Sequence, residues 1–301
     1  EILIISTPVD TPRFDADYGK AAQFVVEKNI PDVCCTYEEV LARVDAVYIA
    51  TSHLSHYGYI KQALQAGKHV LCETPMVLNG DEAKELFQLA EQQGLVLMEA
   101  NKTAHCPAFN HLIVMIKSGV IGEVVDIEAS LSKLLADQRL REFDPNQAGG
   151  SMYELGSYPL LPIVKLLGVD YEDLRFYSRM EGGIDMYTKG VMRYFRSVCS
   201  FKLGLGVKTE GNLIISGTKG YAYVPAPWWK TDYFELRYED QNKNKKFFYK
   251  WDGAGLRYEI QEFVSCIYNH RFSTARLRRR ESIVMAKIMQ QFTERINFSE
   301  I

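Results

Sequence analysis

The chain has 301 residues, 47% of them hydrophobic and 24% charged, with a formal net charge of −3. That composition suits a soluble globular chain long enough for two cores, and it supplies no global electrostatic reason for a nucleic acid or an anionic membrane as partner. No apolar run reaches the roughly 18 residues of a membrane helix, and the six cysteines show neither a C-x-x-C pair nor a histidine at metal spacing, so no metal and a reducing cytoplasm are expected.

In chain order, Ile2 to Ser6 reads as a buried strand, and Ala21, Phe24 and Val25 share one face of a helix ending near Asn29. Thr36 and Glu39 form a capping box that starts a short helix at Tyr37. Ala46 to Thr51 is the next strand, followed by a helix from Ser55 to Ala66 that Gly67 stops. His69 to Glu73, a helix capped by Asn79 and Glu82, and a strand from Leu95 to Ala100 complete the run. Strands alternating with amphipathic helices predict an α/β Rossmann-type N-terminal domain, residues 1–101, on a parallel sheet.

After Asn101 the period changes. A helix over Pro107 to Ser118 leads into long alternating segments at 122–132, 173–180, 185–205, 208–224, 232–239 and 245–251, with turns at Gly182-Gly183 and Gly217 to Gly220. Helices are expected near 150–167, 256–269 and 280–296. Together they predict an α+β C-terminal domain, residues 102–301, with a large, mostly antiparallel sheet. Arg276, Arg278, Arg279 and Arg280 read as a solvated helix flank. The Trp228-Trp229-Lys230 run is either a platform for a sugar face, with Trp228 as the contact, or an edge-strand or subunit-interface anchor.

Three stretches carry a family resemblance: AVYIATSHLSHYGYIKQALQAGKHVLCETP (46–75), LMEANKTAHCPAF (97–109) and GGSMYELGSYPLLPIVKLLG (149–168). Their order and spacing resemble the Gfo/Idh/MocA oxidoreductases. Tyr158, where other branches carry histidine, is similar to the branch of glucose–fructose oxidoreductase and dimeric dihydrodiol dehydrogenase. The resemblance implies NAD or NADP on the first domain, a sugar, polyol or related hydroxyl or carbonyl compound on the second, hydride transfer between them, and a homodimer or homotetramer. It places Ser6, Ala50, Thr51, Ser52, His53, His56, Glu73 and Asn101 at the cofactor, with Glu99 at the neighbouring strand end. His105, Tyr158, Trp228 and Arg257 fall at the substrate, and Tyr158, Glu154 and Thr74 in catalysis.

The chain departs from the family pattern at several points. The family's Glu-Lys-Pro is Glu73-Thr74-Pro75 here, so a hydroxyl stands where an ammonium would favour developing alkoxide. An aspartate is replaced by Glu154, and an arginine is replaced near Ala104. No Gly-x-Gly-x-x-Gly follows the first strand. Either Ile2 to Ser6 is the second strand of the fold and an N-terminal strand and loop precede Glu1, or it is the first strand with PVDTPRFDAD as a poor pyrophosphate cradle. Two functions stay open on this sequence: an NAD(P)-dependent oxidoreductase, and a non-catalytic homologue that keeps the cleft for a nucleotide or sugar ligand.

Overall fold

A computed structural model describes residues 2–5, 34–135, 137, 139–251 and 253–301. Ser6 and the helix expected around Ala21 to Asn29 lie outside the described residues. Among the described residues the first sheet has four strands in the order β1 (Ile2–Ile5), β2 (Ala46–Ile49), β3 (His69–Glu73) and β4 (Leu97–Ala100). β2, β3 and β4 are parallel, with Ile49 beside Cys72 and Glu73 beside Ala100. β1 corrects the expectation of an all-parallel unit, because it runs antiparallel to β2 with Ile2 opposite Ile49. Among the described residues β1 is an edge strand with one neighbour, and such a strand tolerates the reversed direction that a central crossover strand does not.

The sequence explains both covered faces. Val47, Ile49, Val70, Cys72 and Leu97 alternate onto one side, where they pack on α1 (Tyr37–Leu41), α2 (His56–Gln65) and α3 (Gly80–Gln92) through Leu41, Leu64 and Leu86. Tyr48, Leu71 and Met98 point the other way. Among the described residues they are covered by Phe263 and Cys266 of α8 (Leu256–Tyr268), which returns from the far end of the chain. α9 (Arg279–Thr293) lies against α3 in the same way and adds Ala286 to that core.

Among the described residues the second sheet has nine strands: β5 (Val124–Ser132), β6 (Asp173–Glu181), β7 (Ile184–Arg193), β8 (Val198–Gly204), β9 (Leu213–Gly217), β10 (Tyr221–Val224), β11 (Tyr233–Arg237), β12 (Lys245–Phe248) and β13 (Phe298–Glu300). Their spatial order is β12-β11-β10-β9-β5-β8-β7-β6-β13. Only β5 with β8 and β6 with β13 run parallel. Its inner face carries Ile127, Phe176, Phe201 and Phe234, and packs on α5 (Pro107–Lys117) and on the pair α6 (Ser151–Leu155) and α7 (Ser157–Leu167). The single helix expected over 150–167 is therefore two. Gly156 sits at their junction because a Cβ there would meet the Met152 carbonyl oxygen at 2.5 Å and the Met289 Cε of α9 at 2.9 Å.

Gly150 holds the start of α6 at φ 115, a conformation closed to side chains. A Cβ there would strike the Asp185 Oδ1 at 2.2 Å. That carboxylate is the buried anchor of the turn: it accepts from Ser151 Oγ at 2.5 Å, Met152 N at 2.9 Å and Thr188 Oγ1 at 2.6 Å. The glycine thus lets α6 start against β7 and aims Glu154 and Tyr158 at the edge of the first sheet.

Candidate active site

The carboxyl ends of β2, β3 and β4 converge on one edge. β2 runs on into Ala50, Thr51 and Ser52, where Ser55 Oγ donates to Thr51 Oγ1 at 2.7 Å and to the Ser52 carbonyl at 2.8 Å. β3 ends in Glu73, which accepts a hydrogen bond from the Tyr48 hydroxyl. β4 is followed by Asn101, fully buried, whose Nδ2 donates to the Ser157 carbonyl at 3.4 Å while its Oδ1 and the Ser157 hydroxyl have no partner among the described residues. Lys102 comes next, as the first residue of the short helix α4 (Lys102–His105; α4 precedes α5).

Over this edge α8 lowers Glu259. The side chain is completely buried and neither carboxylate oxygen has a hydrogen-bond partner among the described residues. Burial, reinforced by Glu73, pushes its pKa up to about 9, with Lys102 pulling the other way. Burial also raises the Tyr158 phenol, and Glu73 and Glu259 add to the rise. At neutral pH the cluster therefore holds a protonated Glu259 and an un-ionised Tyr158.

Stability should record this. Glu259 keeps its proton to about pH 9 when folded but releases it near its ordinary 4.5 when unfolded. The folded state then binds more protons between those values, so stability falls as pH rises through that window. Glu259→Gln removes the titration, and its melting temperature should gain on that of the parent chain from pH 5 to pH 9. Parallel melting curves across that range would refute a neutral Glu259.

Two cavities flank the edge. One of about 330 Å³ is lined by Lys102, Ser132, Lys133, Glu154, Tyr158 and Trp229, among others. The other, about 380 Å³, lies between His53, Leu54 and Tyr57 on one side and Pro145, Ala148 and Tyr153 on the other. Glu154 stands between them. It accepts two hydrogen bonds from Arg141, at 2.9 and 3.1 Å, and its Oε1 is 3.7 Å from His53 Nδ1. Burial raises the Glu154 pKa and Arg141 opposes the rise. His53 is pushed down to about 3 by burial, then by Arg141 and His56, so it is neutral.

The structure brings together Glu154, Tyr158, Glu73 and Asn101, and corrects several other expectations. Thr74 does not offer its hydroxyl to a ligand: Oγ1 donates to Glu99 Oε1 at 2.8 Å, an oxygen that also accepts from Met76 N at 3.3 Å. The Thr74–Pro75 peptide is cis. His56 is fully buried with both ring nitrogens at 3.0 Å from carbonyl oxygens, those of Pro75 and Thr51, one of which accepts the single N–H of the neutral ring. Glu154 is held by a bidentate guanidinium, that of Arg141.

His105 is fully buried with its pKa lowered to about 3 by burial, and its neighbours are Arg276, Glu262 and Lys165 rather than Tyr158. Trp228 is fully buried in the second core and donates Nε1–H to the Ser130 carbonyl at 2.9 Å. The indole on the cavity is Trp229, one residue on. Arg257 is exposed in the first turn of α8, where the residue turned to the sheet edge is Glu259. Lys102, Glu259, Arg141 and Tyr48 carried no signal of their own. Lys102 stands beside Asn101 within LMEANKTAHCPAF, while Glu259 reads as an ordinary acid in the first turn of a helix.

The residues that could hold a dinucleotide are Thr51, Ser52, His53 and Asn101, whose unpartnered Oδ1 is a buried acceptor at the sheet edge. No group of three or more His, Cys, Asp or Glu able to hold a metal occurs among the described residues.

Residues 14–101 match the model of an oxidoreductase family with an NAD-binding Rossmann fold, Gfo/Idh/MocA. The trans-1,2-dihydrobenzene-1,2-diol dehydrogenase of Oryctolagus cuniculus is 30% identical over 291 residues, covering 93% of this chain and 88% of the relative. The chain belongs to the Gfo/Idh/MocA oxidoreductase family. A D-xylose 1-dehydrogenase (NADP+) of Hypocrea jecorina is 29% identical across 85% of this chain and 74% of its own. Among solved structures, a 3-ketoreductase from Actinomadura kijaniata, in complex with NADP and TDP-benzene, superposes with a TM-score of 0.83 at 20% identity, over 99% of this chain and 90% of that one. A levoglucosan dehydrogenase, solved with NADH and levoglucosan, gives 0.83 at 17% identity over 95% and 88%. These two likenesses speak for the fold.

Proposed function

We propose that this Gfo/Idh/MocA chain is an NAD(P)-dependent oxidoreductase that interconverts a hydroxyl and a carbonyl on a sugar-like or diol substrate. The observation that carries the reading is Tyr158: its phenol lines a substrate-sized cavity at the strand ends and stays protonated at neutral pH. A bound nicotinamide supplies or removes the hydride. The chain's own residues do the rest. Tyr158 gives its proton to the carbonyl oxygen, Trp229 offers an apolar face to the substrate, and the Arg141–Glu154 pair fixes the wall between the two cavities.

In this reading residues 1–101 hold the dinucleotide and 102–301 the substrate. Thr51, Ser52, His53 and Asn101 face the nicotinamide half. The protein assembles as a homodimer through the solvent face of the nine-stranded sheet, where Tyr177 and Val198 project. We place it in the cytoplasm, in keeping with six free cysteines, five of them buried. Among the described residues no helix is long and apolar enough to cross a membrane.

The second reading, a ligand-binding homologue without turnover, draws on the uncharged Thr74. Titration of the protein's tryptophan fluorescence with NADH and NADPH, followed by assays at 340 nm with trans-1,2-dihydrobenzene-1,2-diol, D-xylose and levoglucosan, separates the two. Dinucleotide binding with turnover of one of these supports the enzyme. Binding with no turnover across the panel supports the second reading, and absence of binding overturns both.

A further inference from the structure

Behind the two cavities lies a carboxylate that lines neither. Asp185, the second residue of β7, is buried, and its Oδ2 alone accepts from Ser151 Oγ, Met152 N and Thr188 Oγ1. Its Oδ1 is pressed against Gly150, which leaves the carboxyl no room to turn. A full negative charge supports three donors on one oxygen; the carbonyl oxygen of a neutral carboxylic acid, with two lone pairs, does not. The turn held in this way carries both halves of the wall between the cavities. Gly149 N and Gly150 N donate to the carbonyls of Asp144 and Glu142, at 3.0 and 2.9 Å, in the segment that bears Arg141. The Gly150 carbonyl accepts from Glu154 N at 3.1 Å, and the Met152 carbonyl from Gly156 N at 2.9 Å, where α6 passes into α7 and Tyr158. Arg141, Glu154 and Tyr158 thus stand at the ends of hydrogen-bonded paths that begin at one carboxylate.

We propose that Asp185 is a positioning residue for the reaction, its negative charge keeping α6 in the register that presents Glu154 and Tyr158 to the cavities. The idea rests on the oxidoreductase reading above. From α6 the carboxylate meets Ser151, Met152 N and, at longer range, the Tyr153 phenol; from β7 it meets Thr188, and through Thr188 the Ser178 hydroxyl of β6 at 2.8 Å. None of these groups is charged at neutral pH. Burial pushes the Asp185 carboxyl up to about 6, while the two hydroxyls and the amide hold it down. It is therefore ionised at neutral pH and gains a proton as the pH falls through that value. One of its three donors then lets go, the start of α6 loosens, and turnover declines on the acid side although no group that touches substrate has titrated.

The test uses the full chain with Ser151→Ala, Thr188→Ser and Asp185→Asn. With whichever of the three substrates above is turned over, kcat of the parent chain should fall on the acid side with a midpoint near 6. Ser151→Ala takes one donor from the carboxylate, so its midpoint should move up by about half a pH unit to one unit, with kcat at pH 8 within about threefold of the parent. Ser151 bonds Asp185 and not Glu154, so the shift separates these two carboxyls. Thr188→Ser keeps its hydroxyl and should keep the parent profile. Asp185→Asn should lose the acid limb and run about 10- to 50-fold slower throughout, with KM within about threefold. Independently of turnover, a fluorinated tyrosine at position 158, followed by fluorine NMR, should show a step with a midpoint near 6 that moves up in Ser151→Ala and is absent from Asp185→Asn. A midpoint that Ser151→Ala leaves in place overturns the proposal. So does an Asp185→Asn chain that melts lower but keeps the parent rate and profile, which would make Asp185 a cap of the fold alone. Should Asp185→Asn not fold, the Ser151→Ala shift decides. If the parent chain turns over nothing in the panel, the oxidoreductase reading fails separately, and the fluorine step still shows whether Asp185 governs the setting of Tyr158.

Discussion

Tyr158→Phe should lower kcat by roughly 10²- to 10⁴-fold while leaving NADPH affinity within about twofold and the melting temperature nearly unchanged. The ring stays, and with it the packing of Tyr158 against the second core. Only the hydroxyl is lost. That hydroxyl lies on the cavity wall in a setting where burial, Glu73 and Glu259 keep it protonated, so it can give a proton in carbonyl reduction at any pH near neutral. Alcohol oxidation needs the ionised form, and its rate in the parent chain should rise with pH into the alkaline range. The variant should lose that rise. A variant that keeps both its rate and its pH profile would remove Tyr158 from the chemistry.

Trp228→Ala and Trp229→Ala should fail in opposite ways although they are adjacent. Trp228 is fully buried in the core under the nine-stranded sheet, and its truncation should cost about 3–5 kcal/mol, the range for a large aromatic removed from a packed interior. Loss of the indole N–H also leaves the Ser130 carbonyl without that donor. Trp229 lines the cavity and is only partly buried. Its truncation should change stability little and raise KM by about 3- to 10-fold, the scale of one stacked aromatic contact. Chemical denaturation and steady-state kinetics on both variants read this directly. Equal destabilisation, or a KM effect at Trp228 in a fully folded protein, would reverse the assignment of the two indoles.

Elements with a strong local period were legible. Thr36 is the N-cap expected, its Oγ1 accepting from Glu39 N, while Glu39 Oε2 accepts from Cys35 N rather than from the Thr36 N–H that a capping box would use. β2 to β4, α3 and the alternating strands of the second sheet lie close to where their spacing put them. Such features depend on side chains within a few residues of one another. The direction of β1 was not legible, because a short apolar run pairs equally well either way until its neighbours are known.

At the candidate site the boundary between legible and hidden follows the same rule. Order along the chain was enough to put Glu73 and Asn101 at strand ends and Glu154 close to Tyr158, although the two stand on separate short helices rather than on one. Chain order could not tell Trp228 from Trp229, because one residue of register turns an indole from core to cavity. Nor could it show that Glu99 takes the Thr74 hydroxyl or that two carbonyls occupy His56. Least of all could it show Glu259, about 160 positions beyond Lys102, dropping beside Glu73. Those facts concern which charges and donors lie within a few ångströms of each other, and electrostatics acts through that distance, not through position along the chain.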